Sequence, residues 1–282
     1  MGRAIYLGRS IQAQFSPSRF NCPNCNGKRS RLIDRKYLVT QLRRCESCLL
    51  MFRTPTDRPA VNEEFYETEY AQGFTTDMPS PAVLVDLKRT NFTGTEKDYS
   101  YYIGVLGQLG LKSGARLFDY GCSWGYGSYQ LKRAGYDVTS FEVAPSRRRF
   151  AIEQLEVRGL SHMDQAVAGE FDCFFSAHVI EHVPSPQQVF DQALRLLRPG
   201  GLFVSFTPNG SEACRAVNVS WSSVWGEVHP NYIDDVFLDR SFSSSRRSVG
   251  SSPVVDAALP AEAGLMRLDK LDRGELFFVA QK

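Results

Sequence analysis

The chain has 282 residues, 43% hydrophobic and 23% charged, with a formal net charge of +2. That is enough apolar material for one large core and a small second unit, and too little net charge for a global field that draws in nucleic acid or a membrane surface. Met1 to Phe20 lacks the apolar stretch of a signal peptide and no run of about 18 apolar residues follows, so a cytoplasmic protein without a membrane partner is expected.

Four of the seven cysteines are paired as Cys22-Pro-Asn-Cys25 and Cys45-Glu-Ser-Cys48, with nineteen residues between the pairs. This spacing is that of a C-x2-C…C-x2-C zinc site, so Cys22, Cys25, Cys45 and Cys48 are expected to hold one structural Zn²⁺ in a ribbon over residues 17–56. A segment this poor in apolar residues needs such a metal to fold. Neither pair lies in the strand-helix-strand context of a thioredoxin-like redox motif. Lys28, Arg29, Arg31, Arg35, Lys36, Arg43 and Arg44 make the ribbon basic, which leaves RNA docking as an alternative to plain solvated charge. No glycine-aromatic stacking motif interleaves them, which weighs against RNA.

Composition changes at residues 56–60, the expected boundary. Residues 57–115 read as a helical linker, with Ala82–Thr90 and Tyr99–Leu109 carrying helical apolar spacing and expected to cap a ligand cleft. From Arg116 the chain alternates strands (Arg116–Tyr120, Asp137–Phe141, Phe171–Ser176, Leu202–Phe206) with helices (Tyr126–Ala134, Ser146–Val157, Pro186–Leu197). Short unbroken apolar runs separated by helical patterns specify an α/β, doubly wound, mostly parallel sheet, and ligands bind at the carboxyl ends of its strands. Asp119, Glu142, His178 and Asn209 fall there.

The first strand runs into Asp119-Tyr-Gly121-Cys-Ser123-Trp-Gly125-Tyr-Gly127, a glycine loop that opens a helix, and Glu142 closes the next strand about 20 residues on. Such a loop admits a ligand to the helix amides, and the later acid suits ribose hydroxyls. The glycine spacing is not the G-x-G-x-x-G of dinucleotide sites. Asp119 would repel a diphosphate yet suit a ligand with an ammonium and a sulfonium.

With Ser123 at the usual middle glycine, this loop resembles the first motif of class I S-adenosylmethionine-dependent methyltransferases. The resemblance continues through Glu142, Phe171-Asp172, His178 to Val183, Leu197-Arg-Pro-Gly-Gly201 and Thr207-Pro-Asn209, and covers most of residues 61–210. It implies a seven-stranded sheet over residues 116–282, with Leu276–Ala280 as its antiparallel last strand, and S-adenosylmethionine held by Asp119, Gly121, Ser123, Gly125, Glu142 and His178. Tyr66 or Tyr70 is then a candidate to close over the cofactor. Zinc ribbons of this kind also precede methyltransferases of sugar and surface-polysaccharide pathways, so a sugar, sugar nucleotide or glycan acceptor is expected, with an rRNA or tRNA methyltransferase as the alternative.

His178-Val-Ile-Glu-His182 also spells the H-x-x-E-H of some zinc peptidases, but Pro184 and Pro186 leave too little helix to present both histidines on one face. Methyl transfer to a hydroxyl or a carbon acid needs a proton acceptor, for which a histidine is well suited near neutral pH. His229 is the first candidate base, with Glu227 and Tyr232 beside it and His182 in reserve; Glu227 to Tyr232 loosely resembles the catalytic stretch of sugar C-methyltransferases. His162 reads as exposed in a loop, Ser241–Ser252 as a flexible serine-rich loop, and Ser252–Leu259 as a short strand at most.

Overall fold

A computed structural model describes residues 3–57 and 77–282. Tyr66, Tyr70 and most of the expected 56–60 boundary lie outside the described residues. The sheet behind the site is built from β4 (Arg116–Tyr120), β5 (Asp137–Phe141), β6 (Arg158–Leu160), β7 (Phe171–Ala177), β8 (Leu197–Pro208), β10 (Arg246–Ser251), β11 (Gly264–Arg267) and β12 (Glu275–Gln281). Their spatial order is β11-β10-β12-β8-β7-β4-β5-β6. Strands β6 through β8 run parallel, and β12 is antiparallel to both β8 and β10. Seven strands answer the expected sheet; β11 adds an eighth, paired parallel to β10.

Unbroken apolar runs explain why the central strands lie inside. Leu117 and Phe118 of β4, and Cys173, Phe174 and Phe175 of β7, are fully buried, as strands covered on both faces must be. One face is covered by a helix at Pro186–Leu196, whose Val189, Phe190, Ala193 and Leu196 repeat at helical spacing and pack with Phe174 and Phe203. The other is covered by a helix at Ser100–Gln108, whose Val105 and Leu106 pack with Leu117, Val138 and Val204. The helix at Pro81–Arg89 buries Leu84 against Phe92, Trp124 and Leu155. These last two helices were expected to cap the cleft; they pack elsewhere, and of them only Tyr99, at the N-cap of the second, reaches it.

Two corrections concern the C-terminal part. Ser241–Ser252 is no loop throughout: Arg246–Ser251 is β10, a strand between β11 and β12. With one aliphatic residue, Val249, it lacks the apolar signature of a strand, and its polar side chains are buried because they are bonded. Ser248 donates to the Ala258 carbonyl at 2.6 Å, Ser251 to Asp269 at 3.1 Å, and Arg247 to Asp239 at 2.7 Å. Ser252–Leu259 forms no strand; the extra edge is β11, further on.

The N-terminal ribbon comprises β1 (Ser30–Lys36), β2 (Thr40–Cys45) and β3 (Met51–Thr54), joined antiparallel. Its fourth strand comes from far along the chain: β9 (Asn231–Tyr232), two residues beyond His229, pairs with β3. Cys22, Cys45, Leu50 and Phe52 share one apolar cluster with Phe174, Ile180 and Phe190, so the ribbon and the large sheet are built on a continuous core.

Candidate active site and zinc ribbon

In the ribbon, the Sγ atoms of Cys22 and Cys48, and of Cys25 and Cys45, lie 3.5 Å apart, and all four sulfurs fall within 4.8 Å of one another. Four thiolates on one Zn²⁺ at about 2.3 Å require sulfur separations near 3.8 Å, so the set fits tetrahedral zinc. Gly27 completes the cradle, since a Cβ there would stand 3.2 Å from the sulfurs of Cys25 and Cys45.

A cleft of about 980 Å³ opens at the carboxyl ends of β4, β5 and β7, the place the parallel topology dictates. That volume is at the top of the range for small-molecule sites, with room for two ligands side by side. Its two halves differ in chemistry.

The first half is formed by the glycine loop and Glu142. Gly121 has φ +80°, and a Cβ there would collide with Val179 at 2.5 Å, so only glycine fits. Ser123, standing at the middle-glycine position, also has φ +53°. It is held in that left-handed conformation from two sides: its N–H donates to Glu142 at 2.9 Å, and its hydroxyl accepts from buried Arg147 at 2.6 Å. Glu142 also accepts from the Ala144 N–H at 2.8 Å, and each carboxylate oxygen keeps a further lone pair for a ligand. Burial raises the Glu142 pKa even so.

Of the six expected cofactor residues, Gly121, Ser123, Glu142 and His178 line the cleft. Asp119 lies beneath the loop, 2% exposed, accepting the Ser128 hydroxyl, and burial pushes it up to about 6. Gly125 turns the chain into the helix at Tyr126–Arg133 with φ +89°, where a Cβ would strike Ala151 at 2.7 Å. Asn209, at the end of β8, points away and donates to the carbonyls of Leu271 and Arg273.

The second half gathers three histidines around one carboxylate. Residues 178–182 form a turn rather than a helix, which brings Glu181 inward, 1% exposed, where it accepts the Thr207 hydroxyl at 2.9 Å. Burial opposes charge on Glu181, yet His178 and the neighbouring His182 and His229 hold it at about 2. Desolvation opposes charge on His178 only in part, since its side chain is 47% exposed, and Glu181 and Glu275 outweigh it and raise the ring to about 10. Glu275 of β12 touches His178 Nε2 at 2.6 Å. His182 Nδ1 meets the Val228 carbonyl at 2.8 Å and His229 Nδ1 the Val224 carbonyl at 2.7 Å, with the two rings edge to face at 4.6 Å. A carbonyl can only accept, so each Nδ1 carries a proton and each Nε2 is left as the acceptor of the neutral ring. Burial lowers the His182 pKa, favouring that neutral form.

Both His182 and His229 line the cleft, as does His162 from the rim opposite. Glu227 falls outside the described lining, and Tyr232 is buried on β9, its hydroxyl donating to the Asn209 carbonyl at 2.8 Å. The sequence had singled out neither Glu275 nor Arg147. Both act through partners far along the chain, which no local spacing announces.

The loop that carries His229 is clamped to the ribbon. Arg44 pairs with Asp234 in a fully buried ion pair. Trp225 Nε1 donates to Asp34 at 3.0 Å under the Lys36 ammonium, and the Arg53 N–H donates to the Pro230 carbonyl at 2.7 Å. The basic character of the ribbon is therefore partly internal: Lys36 and Arg44 hold this loop, and Arg43 donates to Ser30 and Gln41.

Residues 118–205 match the family described as "Methyltransferase domain". Residues 118–205 are thus similar to a methyltransferase domain. Among curated proteins, this chain is 36% identical over 123 residues to the ubiquinone biosynthesis O-methyltransferase of Cereibacter sphaeroides, covering 40% of this chain and 50% of that protein. It is 34% identical over 116 residues to the enzyme of the same name from Xanthomonas oryzae, covering 38% and 48%. The chain thus spans about half the length of the curated relatives it matches. Among solved structures, this chain resembles the geranyl diphosphate C-methyltransferase of Streptomyces coelicolor, with a TM-score of 0.50 at 14% identity over 79% of this chain and 98% of that one. This likeness concerns the fold. None of the helices among the described residues is long and apolar enough to cross a membrane.

Proposed function

We propose that this protein transfers the methyl group of S-adenosylmethionine to a hydroxyl of a small molecule, with a sugar, sugar nucleotide or glycan end as the acceptor class. The observation that carries the reading is the two-part cleft, with a glycine loop and Glu142 on one side and His182 and His229, each with Nδ1 engaged by a backbone carbonyl, on the other. Bound in the first half, the cofactor supplies an electrophilic methyl on a sulfonium. Glu142 takes ribose hydroxyls, while Gly121 and Ser123 let the ligand lie against the backbone. The second half orients the acceptor oxygen in line with the methyl carbon, so that the C–O bond forms as the C–S bond breaks. The acceptor's proton leaves toward the histidine pair, where His229 is the first base and His182 the second.

Gln188, Asp191 and Gln192 line the outer wall, and such hydrogen-bonding side chains suit a polyhydroxylated acceptor. The curated relatives named for O-methylation support oxygen as the nucleophile. RNA is the weaker alternative, because Lys36, Arg43 and Arg44 are already engaged within the protein. A transfer assay with labelled cofactor against nucleotide sugars, glycans, phenols and total RNA tests the proposal. Label entering the sugar-bearing pools, and falling at least a hundredfold in His229→Ala with cofactor affinity retained, is the expected result. Label confined to RNA would overturn it.

A further inference from the structure

The glycine loop holds a serine where the resemblance to methyltransferases places a glycine, and that serine, Ser123, stands at φ +53°. A residue with a Cβ enters the left-handed region at a cost and keeps it only where its surroundings impose it. Two contacts impose it here. The Ser123 N–H donates to Glu142 Oε2 at 2.9 Å, and its Oγ accepts from Arg147 Nη1 at 2.6 Å.

The second contact comes from a residue set behind the ligand space. Arg147 is 1% exposed and is not among the described residues that line the cleft, whereas Ser123 and Glu142 are. It stands in the first turn of the helix at Pro145–Leu155. A cation there faces the positive end of the helix dipole, so the dipole does not explain an arginine at this position. The start of the same helix also grips Glu142. The Ala144 N–H donates to Glu142 Oε1 at 2.8 Å, and Arg148 Nη1 donates to the Glu142 backbone carbonyl at 2.7 Å. Ser123 and Glu142, against which the nucleoside lies on the reading above, are thus held from one helix end.

We propose that Arg147 is a positioning residue for the cofactor: through the Ser123 hydroxyl it holds the loop in a conformation that glycine adopts unaided, and so sets cofactor affinity without touching the ligand. The inference rests on the methyl-transfer reading above and deepens it for the glycine-loop half of the cleft. Its consequence is that the two side chains depend on each other. In Ser123→Gly the loop needs no anchor, because glycine enters the left-handed region freely. Ser123→Ala keeps the Cβ and removes the oxygen that Arg147 bonds.

A double-mutant cycle tests this, read by isothermal titration of zinc-loaded protein with S-adenosylhomocysteine on variants shown to be folded by circular dichroism. Arg147→Met is expected to weaken binding by about tenfold alongside Ser123, and by less than about threefold in the Ser123→Gly background. Independently, Ser123→Ala is expected to bind at least about threefold more weakly than Ser123→Gly. Equal losses from Arg147→Met in the two backgrounds, or no loss in either, overturn the proposal, because Arg147 then does not act through Ser123. Should Arg147→Met fail to fold, the two serine variants decide, and equal affinity of Ser123→Ala and Ser123→Gly overturns it. Each of these results leaves the methyltransferase reading standing. Absence of S-adenosylhomocysteine binding by the unsubstituted protein would instead defeat that reading.

Discussion

Burial makes charge on Asp119 unfavourable. Burial raises its pKa to about 6, against an ordinary 3.8, so the folded, ligand-free protein holds a proton there that the unfolded chain would release. Folding stability therefore declines from this group as pH rises between about 4 and 6, the reverse of the usual behaviour of a salt-bridged carboxylate. On the proposed reading, a cationic cofactor bound above the glycine loop would reverse the balance by favouring the ionised form. Affinity for S-adenosylmethionine should then fall as pH drops below about 6, by up to about tenfold per unit. Calorimetric titration between pH 5 and 7.5 checks this, with Asp119→Asn expected to be weak throughout and flat with pH; an unchanged slope in that variant would exclude Asp119 as the source. Asp119, Gly121 and Glu142 were legible in the sequence because a glycine loop between strand and helix tolerates little variation in spacing. Glu275 was not, because its meeting with His178 depends on how β12 inserts beside β8.

At the scale of elements, the pairing of β9 with β3 makes the ribbon a support for the loop around His229 rather than a detached module. The buried Arg44–Asp234 pair is the strongest expected point of attachment. Arg44→Ala leaves the Asp234 charge buried and unpaired, which costs about 3–5 kcal/mol. The denaturation midpoint should fall accordingly and amide exchange at Asn231 and Tyr232 should quicken, whereas replacing both residues by apolar ones of similar size should recover most of the loss. Unchanged exchange in Arg44→Ala would show that the loop stands without the ribbon. The cysteine spacing announced the metal site but not this attachment, since two residues of β9 carry no strand signal by themselves. Likewise β10 escaped detection because its burial is sustained by hydrogen-bonded serines and an arginine instead of apolar periodicity. The central strands were legible to within a residue or two, because apolar runs with both faces covered have few other places to go.

For the whole molecule, topology and chemistry converge on one place. The parallel core β6-β5-β4-β7-β8 opens a cleft at its carboxyl ends, and the glycine loop, Glu142 and the histidine cluster all face it. The ribbon closes the outer side of that arrangement by holding the 224–234 segment through Asp34, Arg44 and Arg53. The sequence conveyed the glycine-loop half of this plan and the existence of the ribbon. The histidine half assembles from residues 178–182, 229 and 275, far apart in the chain, and its composition emerges only on folding. The central claim is that the glycine-loop half is shaped for an adenosine-bearing thioether or sulfonium. Isothermal titration of the zinc-loaded protein with S-adenosylhomocysteine tests it most directly: one molecule bound per chain, weakened at least tenfold by Glu142→Ala, is the predicted result, and no heat with S-adenosylhomocysteine alongside saturable binding of NADH would contradict it.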